Sequence, residues 1–151
     1  MGKKYNTPSL IIVLGVFMLE KDLSSLICER DRYGIIYLRD REPESEEYSG
    51  ARIDVVHMDT FNGQNKSPRV QLVEERINML HDAGVNLAEV GKSQSLDADL
   101  ENLEQGEQRF LGGAIEQGCV LVRARVIMRN GGQAIIDRAL TIPIYGKDID
   151  S

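Results

Sequence analysis

Ten consecutive residues, Leu10 to Leu19, carry no polar side chain, and the charged triplet Glu20-Lys21-Asp22 ends the run. No other feature of the 151-residue chain restricts its fold as strongly, because such a run must be hidden from water. A bilayer-spanning helix needs about 20 apolar residues, so the run is too short. A secretory signal would use Lys3 and Lys4 as its basic start, but Glu20, Lys21 and Asp22 stand where small residues should precede cleavage. Cys28 follows Ser25-Leu26-Ile27, which lacks the small residue a lipoprotein-type site requires there. The start MGKKYN has Asn6 where a myristoylation signal has Ser or Thr.

Two folded readings remain. Thr7 before Pro8 is a helix-start pair, a hydroxyl at the cap and proline at the first helical position. Leu19, Leu23, Leu26 and Ile27 continue at helical spacing, and Gly34 can end the element. We therefore expect a helix from about Pro8 to Asp31. The rival is a buried strand, Leu10–Phe17, followed by a shorter helix; the β-branched Ile11, Ile12, Val13 and Val16 favour it. As a helix, the first half is apolar all round and needs cover on every side. That makes Leu10, Ile11, Val13, Leu14 and Phe17 candidate interface residues for another chain.

Downstream, Ile35–Asp40 reads as a strand, Arg41–Gly50 as a solvated acidic loop, and Ala51–Phe61 as a second strand. Ser67-Pro68 opens a helix with an apolar stripe of Val70, Val73, Ile77 and Leu80, closed by Asp82-Ala83-Gly84. Val85–Gly91 reads as a short strand. Ser95 can cap a third helix with Leu96, Leu100 and Leu103 as its stripe, weakened at Gly106 and ended by Gly112-Gly113. Cys119–Met128 and Gln133–Tyr145 alternate like strands around Arg129-Asn130-Gly131-Gly132. Asn-Gly between such runs is the usual sign of a hairpin turn. Pro143 cannot donate to a ladder and predicts a sheet edge. The expectation is a single α+β domain, residues 1–151: a mostly antiparallel sheet with a C-terminal β-hairpin and two to three helices on one face.

Composition narrows the role. The net charge is −6, which opposes general or sequence-specific nucleic-acid binding and an anionic membrane surface. Two cysteines without CxxC spacing suggest reduced thiols. Asp54, His57 and Asp59 are metal-ligand types close together, and His81 might join them. In a strand, however, Asp54 faces away from the other two. No phosphate-loop, dinucleotide, zinc-protease or nucleophile-elbow motif is present, so no cofactor is expected. Arg123 and Arg125, with Arg129 and Arg138 nearby, put positive charge on one hairpin of an otherwise acidic chain. They are either a solvated sheet face or candidates to meet acidic surface on a neighbour, such as the EPESEE segment or the acidic third helix of the next copy.

The strand ARIDVVHMDTF running into the helix SPRVQLVEERINMLH, and the terminal strand RALTIPIYG, give an element order that resembles the tail-terminator and tail-completion proteins of tailed bacteriophages. That resemblance implies a structural subunit of a ring joining tail tube to head. Its partners would be copies of itself and neighbouring structural proteins, with no membrane. It would be cytoplasmic during assembly and then part of the virion. The apolar first element and the acidic segment Leu96–Glu107 depart from it. The alternative is a small metal-dependent enzyme with a site near Asp54, His57 and Asp59.

Overall fold

Ile11–Leu14 is a strand, not the start of a long helix. Three of its four residues are β-branched, which suits a pleated ribbon better than a helix. Its backbone is paired on both edges, Val13 lying opposite Leu111 on one side and Asp54 on the other. A short unbroken apolar run is what a strand inside a sheet displays. Ile27–Arg30, placed by the same expectation at the helix end, is also a strand.

The computed structural model describes residues 11–14, 26–48, 52–56, 68–90, 103–114 and 116–143. In chain order these form β1 (Ile11–Leu14), β2 (Ile27–Arg30), β3 (Ile36–Leu38), a 3-10 turn (Ser45–Tyr48), β4 (Arg52–Val56), α1 (Pro68–Asp82), β5 (Asn86–Val90), β6 (Gln108–Ala114), a π-helical turn (Glu116–Val120), α2 (Leu121–Arg129) and β7 (Gln133–Ile142). The strands make one seven-stranded sheet in the order β2-β3-β7-β6-β1-β4-β5. Pairs β3/β7, β7/β6 and β4/β5 are parallel; β2/β3, β6/β1 and β1/β4 are antiparallel. The α+β content is as expected, but the sheet is mixed rather than mostly antiparallel.

The hairpin expected around Asn130-Gly131 is instead the junction of a helix with a parallel strand. The segment 119–128 satisfies two periodicities. Val120, Ala124 and Ile127 recur at spacings of four and three, and all are fully buried, so the helical stripe prevails. Gly131 does take positive φ, +92°, but as the residue just past the helix C-cap, Asn130. The Gly132 amide donates to the Ile127 carbonyl at 3.0 Å and the Gly131 amide to that of Met128 at 3.2 Å, a Schellman-type closure. One dipeptide chemistry, a residue free to adopt φ > 0, serves hairpin turns and helix ends alike.

The two helices cover opposite faces of the sheet, not one. Neighbours in sequence on a strand point opposite ways, and Ile35/Ile36, Phe110/Leu111 and Ile135/Ile136 divide accordingly. Ile36, Phe110 and Ile135 pack with Val73, Ile77 and Leu80 of α1. Ile35, Leu111 and Ile136 pack with Ala124 and Ile127 of α2. Each fully buried aliphatic side chain contributes about 1.5–3 kcal/mol. The α1 stripe is as the sequence predicts, and Gly84 at φ +93° ends the helix, with the Val85 amide reaching the Leu80 carbonyl at 3.0 Å.

Other expectations change. Gln108–Ala114 is β6, not the tail of a third helix. Pro143 follows β7, which lies inside the sheet between β3 and β6 rather than at an edge. The acidic segment is not simply solvated: Pro43, Glu47 and Tyr48 are buried.

Candidate interaction surfaces and the charged layer between them

β7 carries a large bulge. Leu111 of β6 faces Ile136, but Gly113 faces Thr141, so residues 137–140 stand opposite Gly112 alone. The insertion is odd, which reverses the alternation: Ile136 faces α2, whereas Leu140 and Ile142 face α1. Gly112 permits the close approach, since a Cβ there would lie 2.6 Å from the Leu140 carbonyl oxygen.

A bulge removes ladder partners from backbone groups, and a buried unpaired carbonyl is costly. Two arginines of α1 supply donors. Arg69 Nη2 donates to the carbonyls of Arg138 at 2.8 Å and Thr141 at 3.0 Å, and Arg76 Nη1 to that of Ala139 at 3.0 Å. Asp40 holds both guanidiniums, at 2.7 Å from Arg69 and 2.6 Å from Arg76. Partial burial pushes the Asp40 pKa up, but the hydrogen bonds from Arg76 and Arg69 outweigh it and leave the group below the usual carboxylate range.

Asp137, the first residue of the bulge, is fully buried. It accepts from Arg41 at 2.8 Å, from Tyr48 Oη at 2.6 Å and from the Ala139 amide at 3.1 Å. Arg41 also pairs with Glu47 at 2.9 Å. Burial opposes the charge on Arg41, yet Asp137 and Glu47 raise its pKa overall. Burial first, and then Asp137, raises that of Tyr48. On the other face Arg138 pairs with Glu116 at 3.2 Å and lies 4.8 Å from the Tyr37 ring centroid. Tyr37 donates to Asp31 at 3.1 Å; burial and that bond push its pKa up to about 12.

A cleft of about 290 Å³ opens where β3, β7 and β6 end, lined by Asp40, Arg69, Glu116, Gln117, Arg138, Thr141 and Pro143. The carboxyl ends of parallel strands are a usual ligand position. Here Asp40 is bonded to Arg69, and Glu116 to Arg138, so these charges brace the bulge.

The exposed surface differs from face to face. Beside α2, Tyr33 is 46% exposed and Val122 59%. Arg32 and Arg125 place their guanidiniums 5.0 and 4.7 Å from the Tyr33 ring centroid, and Arg30 and Arg129 are exposed. Beside α1, Glu42, Glu44, Glu46, Glu75 and Asp82 are exposed. The segment carrying the first three lies along Met79 and Ala83 of α1.

The candidate residues from sequence fall as follows. Arg123, Arg125 and Arg129 lie on α2 rather than on a strand face. Ile11, Val13 and Leu14 lie on β1, inside the sheet; Leu10 and Phe17 are outside the described residues. Asp54 lies on β4, while His57 and Asp59 are outside the described residues. His81 is exposed at the end of α1, 3.6 Å from Asp82. Among the described residues no group of three or more His, Cys, Asp or Glu could hold a metal ion, and no helix is long and apolar enough to cross a membrane. Tyr33, Asp137 and Arg69 were not legible as important, although Arg69 offered a signal. An arginine in a first helical turn opposes the helix dipole, so it needs a partner such as Asp40.

Comparison of the chain with protein-family models, curated protein sequences and solved structures finds no match to any of them.

Proposed function

We propose that the protein is a structural subunit of a homo-oligomeric assembly built head to tail, of the kind that the tail-terminator or connector rings of phage tails represent. The observation that supports this reading is the uneven spread of exposed charge: an arginine-rich surface with Tyr33 and Val122 on the α2 side, where Glu29 is also exposed, and a group of exposed carboxylates on the α1 side. A heterologous interface needs two different, complementary patches on one subunit, and repetition of that contact gives a ring or filament. Opposite potentials also steer the encounter and fix the register. The buried charge layer around Asp137 keeps the two faces in a defined relation, as a repeating subunit requires.

Light scattering over a concentration series tests the reading. A discrete multiple of the 16.9 kDa chain mass is expected; a single-chain mass at every concentration would remove it.

A further inference from the structure

We propose that the Tyr33 surface is the socket for the acidic turn of a second copy of this chain, an inference that rests on the assembly reading. The socket consists of Arg30 at the end of β2, Arg32 and Tyr33 from the β2–β3 turn, and Val122, Arg125 and Arg129 from α2. The three helix residues lie at i, i+3 and i+7, one stripe of the helix. Val122 and Arg129 are exposed along it, and the Arg125 guanidinium lies over the Tyr33 ring. An exposed aromatic flanked by arginines is the side-chain set that dominates binding hot spots.

The inserting element is also built. Glu42, Glu44 and Glu46 are exposed, while Pro43 and Glu47 between and beside them are buried. The Glu47 carboxylate accepts from Arg41 and from the Glu44 amide, and Tyr48 is anchored on Asp137. Three carboxylates are thus presented on a turn already fixed by its own core, so little ordering cost falls on binding. Socket and turn lie on opposite layers of the sheet, the turn's Tyr48 packing on the α1 side. The contact is therefore heterologous, with each copy giving its turn to one neighbour and its socket to the other.

A second copy fits this socket better than a nucleic acid does. The chain carries net charge −6, which opposes a long polyanion. At the socket itself Glu29 is drawn to Arg138 and Asp31 to the Tyr33 and Ile35 amides and Tyr37, so the arginines around Tyr33 suit a short acidic turn.

Two full-length variants test the contact: a socket variant, Tyr33→Ala with Arg129→Gln, and a turn variant, Glu44→Gln with Glu46→Gln. The altered side chains are exposed, and thermal melts check the fold; Arg129→Gln alone replaces the double variant if that one melts early. The expected result is that each variant alone falls to the single-chain mass. Mixed in equal amounts, they should form a dimer and nothing larger, since only one good contact per pair remains. An assembly that persists in both variants would overturn the socket while leaving the assembly reading standing. A wild-type chain that is monomeric throughout would overturn both. Tyr33-dependent retention of a labelled single-stranded oligonucleotide, with no effect of either variant on mass, would assign the surface to nucleic acid and also overturn the proposal.

Discussion

Under α1 the sheet buries Asp137, Arg69 and Glu47 among its apolar side chains. Under α2 the interior is Ile35, Tyr37, Leu111, Val120, Ala124, Ile127, Ala134 and Ile136, and the charge there, among the described residues, is the pair of buried Glu116 with the half-buried Arg138. The strands are shared; the difference originates in the bulge of β7. On the α2 side the ladder up to Ile136 is regular, and burial of hydrocarbon suffices. On the α1 side residues 137–140 leave carbonyls that need donors, and the arginines that provide them need carboxylates in turn. Buried ion pairs of this kind contribute little net stability compared with apolar packing, but losing one partner is expensive. The α2 layer should therefore tolerate changes of shape, and the α1 layer should not tolerate changes of charge.

The largest effect should follow Asp137→Asn. Size is conserved, but Arg41 keeps only Glu47 as a charged partner and the fully buried carboxylate that Arg41, Tyr48 and the Ala139 amide share is lost, so a destabilisation of about 2–3 kcal/mol is expected from chemical denaturation. A loss below about 1 kcal/mol would mean that the network is not holding the bulge. Next comes Gly112→Ala, which forces a methyl against the Leu140 carbonyl; overpacking of this kind costs about 1–3 kcal/mol. A neutral result there would place the close approach elsewhere. Alkaline titration probes both layers by a different route, since each holds a tyrosine with a raised pKa. Tyr37 has its pKa raised from 10.0 to about 12, so the folded state holds its proton more tightly than the unfolded chain. That stability is intact below pH 10 and is lost as pH rises through about 12. Phenolate absorbance should show Tyr37 ionising late, as Tyr48 also does, and Tyr37→Phe should remove one late-ionising phenol while leaving that of Tyr48. The smallest effect belongs to Ile127→Leu under α2, expected to cost less than about 1.5 kcal/mol. If it costs as much as Asp137→Asn, the contrast between the layers fails.

Much of this contrast was not legible in the sequence. The stripe of α1 and its glycine stop could be read because one periodicity alone fitted them. The segment 119–128 fitted two, and only the neighbours of Val120, Ala124 and Ile127 decide between them. Asn130-Gly131 reports positive φ at the turn without saying which element precedes it. The apolar run at residues 10–19 misled, because Thr7-Pro8 and the helically spaced leucines beyond it pointed to a long helix, whereas the part of it described, Ile11–Leu14, is a strand. The bulge could not be foreseen, since register is a property of two strands. Asp137 within AIIDRALTI was its one visible trace, a carboxylate in an otherwise apolar strand. Tyr33 and the acidic turn acquire meaning only when the fold sets them on opposite layers.

Sedimentation velocity of the wild-type chain across a salt series tests the central claim most directly, because charge contacts at a surface weaken as the screening length falls below about 10 Å. The account predicts one assembly of defined size at low ionic strength, dissociating toward 16.9 kDa as salt is added. A lone chain under all conditions would contradict it, and so would an assembly indifferent to salt.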